Sequence, residues 1–313
     1  ANSREGIINP LALGLLPRTW QENDPDFVGR VDSRAQWWDG KVRVQLLIQE
    51  VLSSLRVKAD ASARKVRLYA AEDAGNVFVG LTRPKPDEQA GELADVMSFA
   101  DLRTERLPEI LEQLADSWPF WHSLLPLRLY KLTHTQILLD LVTEVATYIG
   151  MRFKNDFASA RPCELSSQVQ PLIPTPGHGS FPMGHATQAF GGARVLHLLT
   201  HGVAAKTDDY LPLVEQAYRL AWRIGENRVV AGVHFPMDLR AGKALGIALG
   251  DAIYWLGKTT KPPPADLTPP DQALTPGAPA PSGLIEQAWQ LAEDEWRTWM
   301  AGPMMPPPKP PAP

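Results

Sequence analysis

The chain of 313 residues is 44% hydrophobic and 21% charged, with a formal net charge of −4. This composition is typical of a folded globular protein, and its mildly acidic balance excludes a whole-surface attraction to nucleic acid or anionic membranes. Any bound anion must therefore be held by a local cluster of cations, and no nucleic-acid partner is expected.

The sequence also limits disulfide and membrane chemistry. Cys163 is the only cysteine, so an internal disulfide is excluded. No run of about 18 uncharged apolar residues occurs, so no membrane span is expected, and residues 1–10 lack the basic and apolar regions of a signal peptide. We expect a soluble protein, either cytoplasmic or exported with a signal already removed.

Helical periodicity begins after an irregular N-terminal arm, residues 1–36. In residues 44–55 apolar side chains recur three and four apart, which predicts an amphipathic helix. Further helices are predicted over 62–79 and 108–118, where apolar and charged residues are mixed. Prolines mark breaks around these segments.

The second half of the chain gives clearer helical patterns. A helix is predicted over 137–157, with Thr135 as its N-cap and an end before Pro162. A loop rich in proline, glycine and serine follows over 163–183, and then helices at about 184–200, 209–230 and 236–257. The last helix carries a glycine every four residues, which permits close approach of a neighbouring helix: Gly242, Gly246 and Gly250.

The C-terminal part is an extension of this body. Residues 259–283 have the composition of a Pro-rich linker, residues 284–300 carry tryptophans at the spacing of an amphipathic helix, and residues 301–313 are expected to be disordered. Alternating Val, Ile and Thr runs are scarce. The sequence therefore predicts an all-α fold, with a helical domain over 37–258 whose chemistry-bearing core lies at 135–257.

The first segment of that core contains Lys154 and Arg161, followed by Pro162. Residues seven apart on a helix lie two turns from each other on one face, so both cationic side chains can reach one anion. Arginine offers a planar fork of donors and lysine a compact charge, a combination suited to phosphate. The alternative is a solvated helix face.

The second segment lies where the loop meets the next helix, and it includes Gly184 and His185. A glycine at a helix start lets backbone N–H groups approach an anion, which the helix dipole also favours. His185 could donate a proton to a leaving oxygen or to bound peroxide; the alternative is a capping or core histidine. His178, Ser180 and Met183 of the same loop are candidates for the substrate entrance.

The third segment contains Arg228, His234 and Asp238. Arg228 can bind the same oxyanion, and His234 is a candidate nucleophile. Asp238, four residues after His234, can accept the N–H of its other ring nitrogen, which fixes the tautomer. The alternative is a surface arginine and a packed histidine.

Together the three segments resemble the signature of the type-2 phosphatidic acid phosphatase and vanadium-dependent haloperoxidase superfamily. The signature reads Lys-x6-Arg-Pro, then Pro-Ser-Gly-His, then Ser-Arg-x5-His-x3-Asp, and the resemblance covers residues 135–257. It implies a helical bundle of the acid phosphatase/vanadium haloperoxidase type.

The resemblance also implies roles for the matching residues. The backbone of Gly184 and three cationic side chains would bind the oxygens of the oxyanion: Lys154, Arg161 and Arg228. His234 would attack phosphorus in a phosphatase, or would be the ligand of the vanadium metal if vanadate is the cofactor. His185 would be the general acid and base. The phosphatase would need no cofactor, because the arginines supply the positive charge.

Two positions depart from the signature. Met183 stands where the family has a serine that hydrogen-bonds the oxyanion, and Asn227 replaces the serine before Arg228. Loss of one neutral donor costs at most a few kcal/mol of transition-state stabilisation. Ser180 could substitute only if the loop folds back.

Three functions remain open on this sequence, and the one that we predict first is a vanadium-dependent haloperoxidase. The loop 171–178 is similar to a loop of soluble bacterial haloperoxidase-like members, and the helical region before Lys154 is longer than that of small secreted acid phosphatases. Both features of the resemblance favour a haloperoxidase, in which vanadate and hydrogen peroxide oxidise a halide. The short spacing between His185 and His234 favours a phosphatase that hydrolyses a soluble phosphomonoester through a phosphohistidine. Met183 and the tryptophan-rich helix favour a degenerate member that binds an oxyanion or a partner without catalysis. That helix packs either on the body or on a second copy, as in a homodimer.

Overall fold

The structure, a computed structural model, describes residues 38–71, 77–115, 117–125, 132–203, 211–258 and 283–301. The predicted N-terminal arm lies outside the described residues. So do the linker up to residue 282 and the tail beyond residue 301.

The described chain begins with a helix and a small sheet. Helix α1 (Gly40–Ser54) starts after Asp39, whose carboxylate accepts a hydrogen bond from the backbone N–H of Lys41 at 2.9 Å. Three antiparallel strands follow in the order β1-β2-β3, and they span Leu55–Asp60 (β1), Lys65–Ala70 (β2) and Val77–Thr82 (β3).

This sheet overturns the helix predicted over 62–79. In β2 the side chains of Val66, Leu68 and Ala70 are buried, whereas those between them are more exposed. A period of two places these apolar residues on one face of a strand, and the same segment has no continuous stripe at a period of 3.6. The mainly helical fold is confirmed, with this sheet as an added element.

Two short helices, a 3₁₀ turn and two further helices follow the sheet. They are α2 (Pro86–Gly91), α3 (Leu93–Ser98), a 3₁₀ turn (Phe99–Leu102), α4 (Arg103–Ala115) and α5 (Trp118–Leu124).

Helix α4 begins five residues before the start predicted from Pro108 and ends before Trp118. Arg103 is the first residue of α4. Its side chain fixes the start of the helix by donating to the backbone carbonyls of Val169, Gln170 and Val230 at 2.9–3.0 Å. The local sequence around Pro108 does not indicate these acceptors, because they lie far away along the chain.

Four long helices and one short helix build the core. They are α6 (Thr133–Phe157), α7 (Pro162–Leu165), α8 (Gly184–Val203), α9 (Leu211–Val230) and α10 (Pro236–Gly257). Helix α8 packs against α6, α9 and α10. A Cβ atom on Gly242 would lie 2.5 Å from the carbonyl oxygen of Met183, and one on Gly250 would lie 2.7 Å from Arg194 Cβ. The close approach predicted from the glycine spacing of α10 is confirmed.

Helix α11 (Gly283–Ala301) packs on α6, α8 and α10. Trp289 and Trp296 are fully buried, and Trp296 Nε1 donates to Thr135 Oγ1 at 3.0 Å. The Glu295 carboxylate accepts the backbone N–H groups of His134 and Thr135 at 2.7 and 2.9 Å. The N-terminus of α6 is therefore capped by Glu295 rather than by Thr135, and the tryptophans of α11 face the body of the protein.

Among the helices that the structure describes, none combines the length and the apolar character needed to cross a membrane.

Candidate active site

His234 lies between α9 and α10, in a short loop whose backbone turns at Gly232. Gly232 has a φ of +78°, and a Cβ atom there would lie 2.7 Å from Arg103 Nη2, so both conformation and space favour glycine. The Nδ1 atom of His234 lies 3.0 Å from Asp238 Oδ2, in the first turn of α10. The carboxylate accepts the Nδ1 proton, which leaves the Nε2 atom with its lone pair.

The loop before α8 folds back onto the Nδ1 side of His234. Ser180 Oγ donates to Asp238 Oδ2 at 2.5 Å and lies 3.2 Å from His234 Nδ1. The backbone N–H of Phe235 donates to the same Asp238 oxygen at 2.9 Å. Burial raises the pKa of Asp238, while the hydrogen bonds from Ser180 and Phe235 oppose that rise. Ser180 therefore orients the histidine–aspartate pair and cannot reach an oxyanion on the Nε2 side.

Lys154 and Arg161 converge, but not on one helix face. Helix α6 ends at Phe157, Ala158 has a left-handed φ of 44°, and Arg161 stands just before α7. The helical-face interpretation is therefore wrong. Both side chains instead bind the loop before α8: Lys154 Nζ donates to the carbonyls of Gly179 and Ser180 at 2.8 Å, and Arg161 Nε donates to the carbonyl of His178 at 3.1 Å.

The Arg161 guanidinium also faces the nucleophilic atom. Its Nη1 atom donates to the carbonyl of Val233 at 2.7 Å and lies 3.0 Å from His234 Nε2. Burial lowers the pKa of His234 well below its usual range, and Lys154 and Arg161 lower it further. Burial, and secondarily Arg161, also lowers the pKa of Lys154. His234 is thus neutral at pH 7, with its lone pair directed at a cationic cluster.

Arg228, near the end of α9, is 1% exposed and has no carboxylate partner among the described residues. Its Nη2 atom donates to the carbonyl of Ile110 at 3.0 Å and to Gln113 Oε1 at 3.2 Å. Its Nε and Nη1 atoms are buried and find no acceptor in the described part of the chain. Burial lowers the pKa of Arg228 to about 10, so the side chain stays cationic at neutral pH.

Gly184 and His185 form the start of α8. A Cβ atom on Gly184 would meet nothing within 4 Å, so the space beside this glycine is open. Burial, and secondarily Arg228, lowers the pKa of His185 to about 4, although its ring donates to the backbone carbonyl of Gln113. A cavity of about 30 Å³ adjoins His185 and is lined by both polar and apolar side chains, the apolar ones being Trp118, Trp121, Leu139, Ala189 and Ile224.

The entrance predicted from the loop is only partly compatible with the structure. Ser180 and Met183 are both fully buried, so neither lines an opening to solvent. Met183 instead holds the loop to α10, because its backbone N–H donates to the carbonyl of Asp238 at 3.0 Å. His178 is exposed, and its Nδ1 atom lies 3.1 Å from Arg161 Nη2.

Helix α4 supplies a part of the site that the motifs did not indicate. Asn227 is fully buried; its Oδ1 atom accepts from Arg106 Nη1 at 3.1 Å, and its Nδ2 atom donates to Glu109 Oε2 at 2.9 Å and Gln113 Oε1 at 3.1 Å. The replacement of serine by Asn227 therefore ties α9 to α4. The only hint in the sequence is that Arg106, Glu109 and Gln113 recur at helical spacing.

A known protein family matches the region of the chain that contains the three motifs. The model of the PAP2 superfamily matches residues 135–261. The predicted resemblance of this region to the type-2 phosphatidic acid phosphatases is thereby confirmed, and the match supports oxyanion binding of the phosphatase type. It gives no specific support to a haloperoxidase.

Two further comparisons complete this result. A comparison with curated proteins found no match. Among solved structures, the chain is similar to a transmembrane PAP2-type phosphatidylglycerolphosphate phosphatase from Bacillus subtilis, with 19% sequence identity and a TM-score of 0.42. That similarity covers 67% of this chain and 91% of the other. Helices α4 and α5 precede the PAP2 region, so Gln113 and Trp118 lie outside the family match.

Proposed function

We propose that this protein is a metal-independent phosphatase that hydrolyses a phosphomonoester through a phosphohistidine at His234. The observation that carries the proposal is the pair of buried N–H groups of Arg228 that have no acceptor in the described chain. The charge of Arg228 acts on His185, and His185 in turn acts on the neutral His234. A buried cation without a counter-ion is costly, and an anionic ligand with several acceptor oxygens removes that cost.

A phosphate dianion matches the donors that the site offers. Arg228 Nε and Nη1 are without acceptors in the described chain. The pKa of Lys154 is lowered to about 7 by burial, and a bound dianion raises it, so that the side chain then carries three protons for the two carbonyls that it contacts. The Arg161 Nη1 proton that now faces His234 Nε2 can move to a phosphate oxygen. This shift frees the Nε2 lone pair only when the substrate is bound.

In the first step, His234 Nε2 attacks phosphorus and the bond to the leaving oxygen breaks. The Nδ1 proton stays hydrogen-bonded to Asp238, which stabilises the positive charge that the ring acquires. His185 is neutral in the free protein, and a bound dianion raises its pKa so that it gains a proton. It then donates this proton to the leaving oxygen.

In the second step, water attacks the phosphohistidine. His185, now neutral, takes a proton from that water, the phosphorus–nitrogen bond breaks, and inorganic phosphate leaves. Lys154, Arg161 and Arg228 stabilise the charge on the equatorial oxygens during both steps.

The test is release of p-nitrophenol from p-nitrophenyl phosphate, with and without a chelator, by wild-type protein and His234→Asn. The control variant is His201→Asn, because His201 lies near the C-terminal end of α8, whereas His185 lies at its N-terminal end. We expect chelator-resistant hydrolysis that falls at least about a thousandfold in His234→Asn only. An acid-labile, base-stable phosphoryl group on wild-type protein would identify the intermediate. Hydrolysis that stops with the chelator, or persists in His234→Asn, contradicts the proposal.

A second candidate is vanadate-dependent halide oxidation, which the small cavity beside His185 favours. About 30 Å³ suits hydrogen peroxide and a halide better than a large leaving group. Vanadate shares the charge and shape of phosphate, so Lys154, Arg161 and Arg228 would hold its oxygens, with His234 Nε2 at the metal. Bound vanadate supplies the activation of hydrogen peroxide.

Bromide oxidation by protein loaded with orthovanadate in phosphate-free buffer tests this second candidate. Turnover that vanishes in His234→Asn supports it. Vanadate that only blocks p-nitrophenyl phosphate hydrolysis contradicts it. If neither assay detects activity but the protein still binds vanadate, it is a non-catalytic oxyanion-binding member.

A further inference from the structure

We propose that Gln113, on α4, is a further residue of the oxyanion site and donates an amide N–H to the bound anion. This inference rests on the proposed function for the identity of the anion as phosphate. Gln113 lies outside the region that matches the PAP2 superfamily, so no motif assigns it a role.

The orientation of the Gln113 amide follows from its neighbours. Arg106 Nη1 can only donate, so it fixes the oxygen of the Asn227 amide on its own side. The Nδ2 atom of Asn227 then points at Gln113 Oε1, at 3.1 Å. Arg228 Nη2 donates to the same oxygen at 3.2 Å. Both donors point at Oε1 of Gln113, so this atom is the amide oxygen. The remaining atom of the amide group is therefore Nε2, which carries both amide protons.

The Nε2 atom has nothing to donate to within the described residues. It is buried, in a side chain that is 3% exposed, and it has no hydrogen-bond partner there. Arg228 Nε and Nη1, on the same guanidinium that contacts the Gln113 amide, lack acceptors as well. Three buried donor atoms in adjacent side chains call for a ligand rich in acceptors, as a tetrahedral oxyanion is.

Gln113 also contacts the candidate general acid. The His185 ring donates to the backbone carbonyl of Gln113, while the Gln113 side chain receives Arg228. One residue of α4 thus joins the two motif residues that lie on α8 and α9. The fully buried Met183 side chain has no N–H or O–H to offer, which leaves the Gln113 amide as a neutral donor beside Arg228.

Two substitutions separate donation to the anion from a merely structural role. Gln113→Glu keeps an acceptor for Asn227 and Arg228 but replaces the donor with negative charge. Gln113→Met removes both functions at similar volume. If Gln113 only positions Arg228, Gln113→Glu should bind phosphate nearly as well as wild type, and Gln113→Met should be the weaker binder. If Gln113 contacts the anion, both variants lose affinity and Gln113→Glu loses more.

The measurement is calorimetric affinity for inorganic phosphate at pH 7, with Gln45→Glu on the exposed face of α1 as the matched control. We expect a loss of about tenfold in Gln113→Met and of at least about a hundredfold in Gln113→Glu. The control should bind like wild type. A melting temperature measured for each variant shows that it is folded, and Gln113→Glu keeps the test valid if Gln113→Met does not fold.

The outcomes separate this inference from the proposed phosphatase. Wild-type protein that binds phosphate without hydrolysing an ester, while both Gln113 variants bind it weakly, supports Gln113 and contradicts the phosphatase. Variants that bind phosphate like wild type overturn the role of Gln113, whatever the hydrolysis assay gives. Wild-type protein that binds neither phosphate nor vanadate overturns both.

Discussion

Replacing Arg228 with methionine should remove oxyanion binding and, at the same time, slightly stabilise the ligand-free protein. Burial lowers the pKa of Arg228 from 12.5 to about 10, which corresponds to about 3 kcal/mol against the charged form. Methionine has a similar length and no charge, so this cost disappears.

The hydrogen bonds lost in Arg228→Met offset part of that gain. Arg228 donates to two acceptors, and each bond contributes about 1 kcal/mol. Neither acceptor becomes unsatisfied, because Gln113 Oε1 keeps Asn227 and the carbonyl of Ile110 lies within the helical ladder of α4. The net expectation is a gain of about 1 kcal/mol in the free energy of unfolding, or about 2 °C in melting temperature.

The assay is thermal unfolding of wild type and Arg228→Met, each with and without inorganic phosphate. Phosphate should raise the melting temperature of wild type and leave that of the variant unchanged. The control Arg219→Met, on the exposed side of α9, removes an arginine whose side chain is 71% exposed. It should change stability by less than about 0.5 kcal/mol and retain the response to phosphate.

Two results would refute the reasoning. A variant destabilised by about 2 kcal/mol or more would show that Arg228 is a net structural contributor without any ligand. A variant whose melting temperature still rises with phosphate as wild type does would show that the anion binds elsewhere.

Four other predictions concern the titration of the site and the packing around it. Phosphate binding at pH 6 should take up protons, because the pKa of His185 is lowered to about 4 in the free protein and a bound dianion raises it; calorimetry in buffers of different ionisation enthalpy measures this uptake. For the same reason, the ligand-free protein should lose stability as the pH falls from 6.5 towards 4, where the unfolded chain binds this proton more tightly. Glu295→Ala should lower the free energy of unfolding by about 2 kcal/mol through loss of the α6 cap, whereas exposed Glu286→Ala should leave it unchanged in urea titration. Asp251→Ala should cost about 3 kcal/mol or more in the same titration, because it leaves the fully buried Arg194 without its carboxylate.

Local periodicity predicted most of the helical fold. The helix predicted over 236–257 is α10 (Pro236–Gly257), and those at 184–200 and 209–230 differ from α8 and α9 by only a few residues at their ends. Their apolar stripes are long enough for a period of 3.6 to stand out. The segment that forms β2 and β3 is short, and charged residues interrupt its alternation of apolar and polar side chains. This alternation can be recognised only once the structure shows which face of the strands is buried.

In the candidate site, too, local spacing predicted only the contacts between residues of one segment. The distance of 3.0 Å between His234 and Asp238 follows from a spacing of four residues at a helix start. The convergence of Lys154 and Arg161 was predicted for a wrong reason, since α6 ends between them and a loop supplies the carbonyls that bring them together. Spacing along one segment contains no information on that loop.

Helix α4 could not be assigned to the site from the sequence, because its contacts join residues more than 100 positions apart. Asn227 reaches Gln113 across 114 positions, and Arg228 reaches Ile110 across 118. An isolated stripe of Arg106, Glu109 and Gln113 on a helix has the pattern of a solvated face. Only the packing of α4 on α9 makes the stripe part of a buried polar network.

That network explains how a cationic site persists without a ligand. Each donor group is held from behind by a protein acceptor: Lys154 by loop carbonyls, Arg161 by Val233, and Arg228 by Gln113. Each group is therefore fixed in place, while buried N–H groups of Arg228 and Gln113 remain without protein acceptors in the described chain. Donors fixed in this way need no reorganisation when charge develops on an oxyanion, which is the condition for electrostatic stabilisation of a transition state. Shortening Gln113, the side chain that holds Arg228, should thus weaken catalysis more than ground-state binding, because the redistribution of charge in the transition state depends more strongly on donors held in fixed positions.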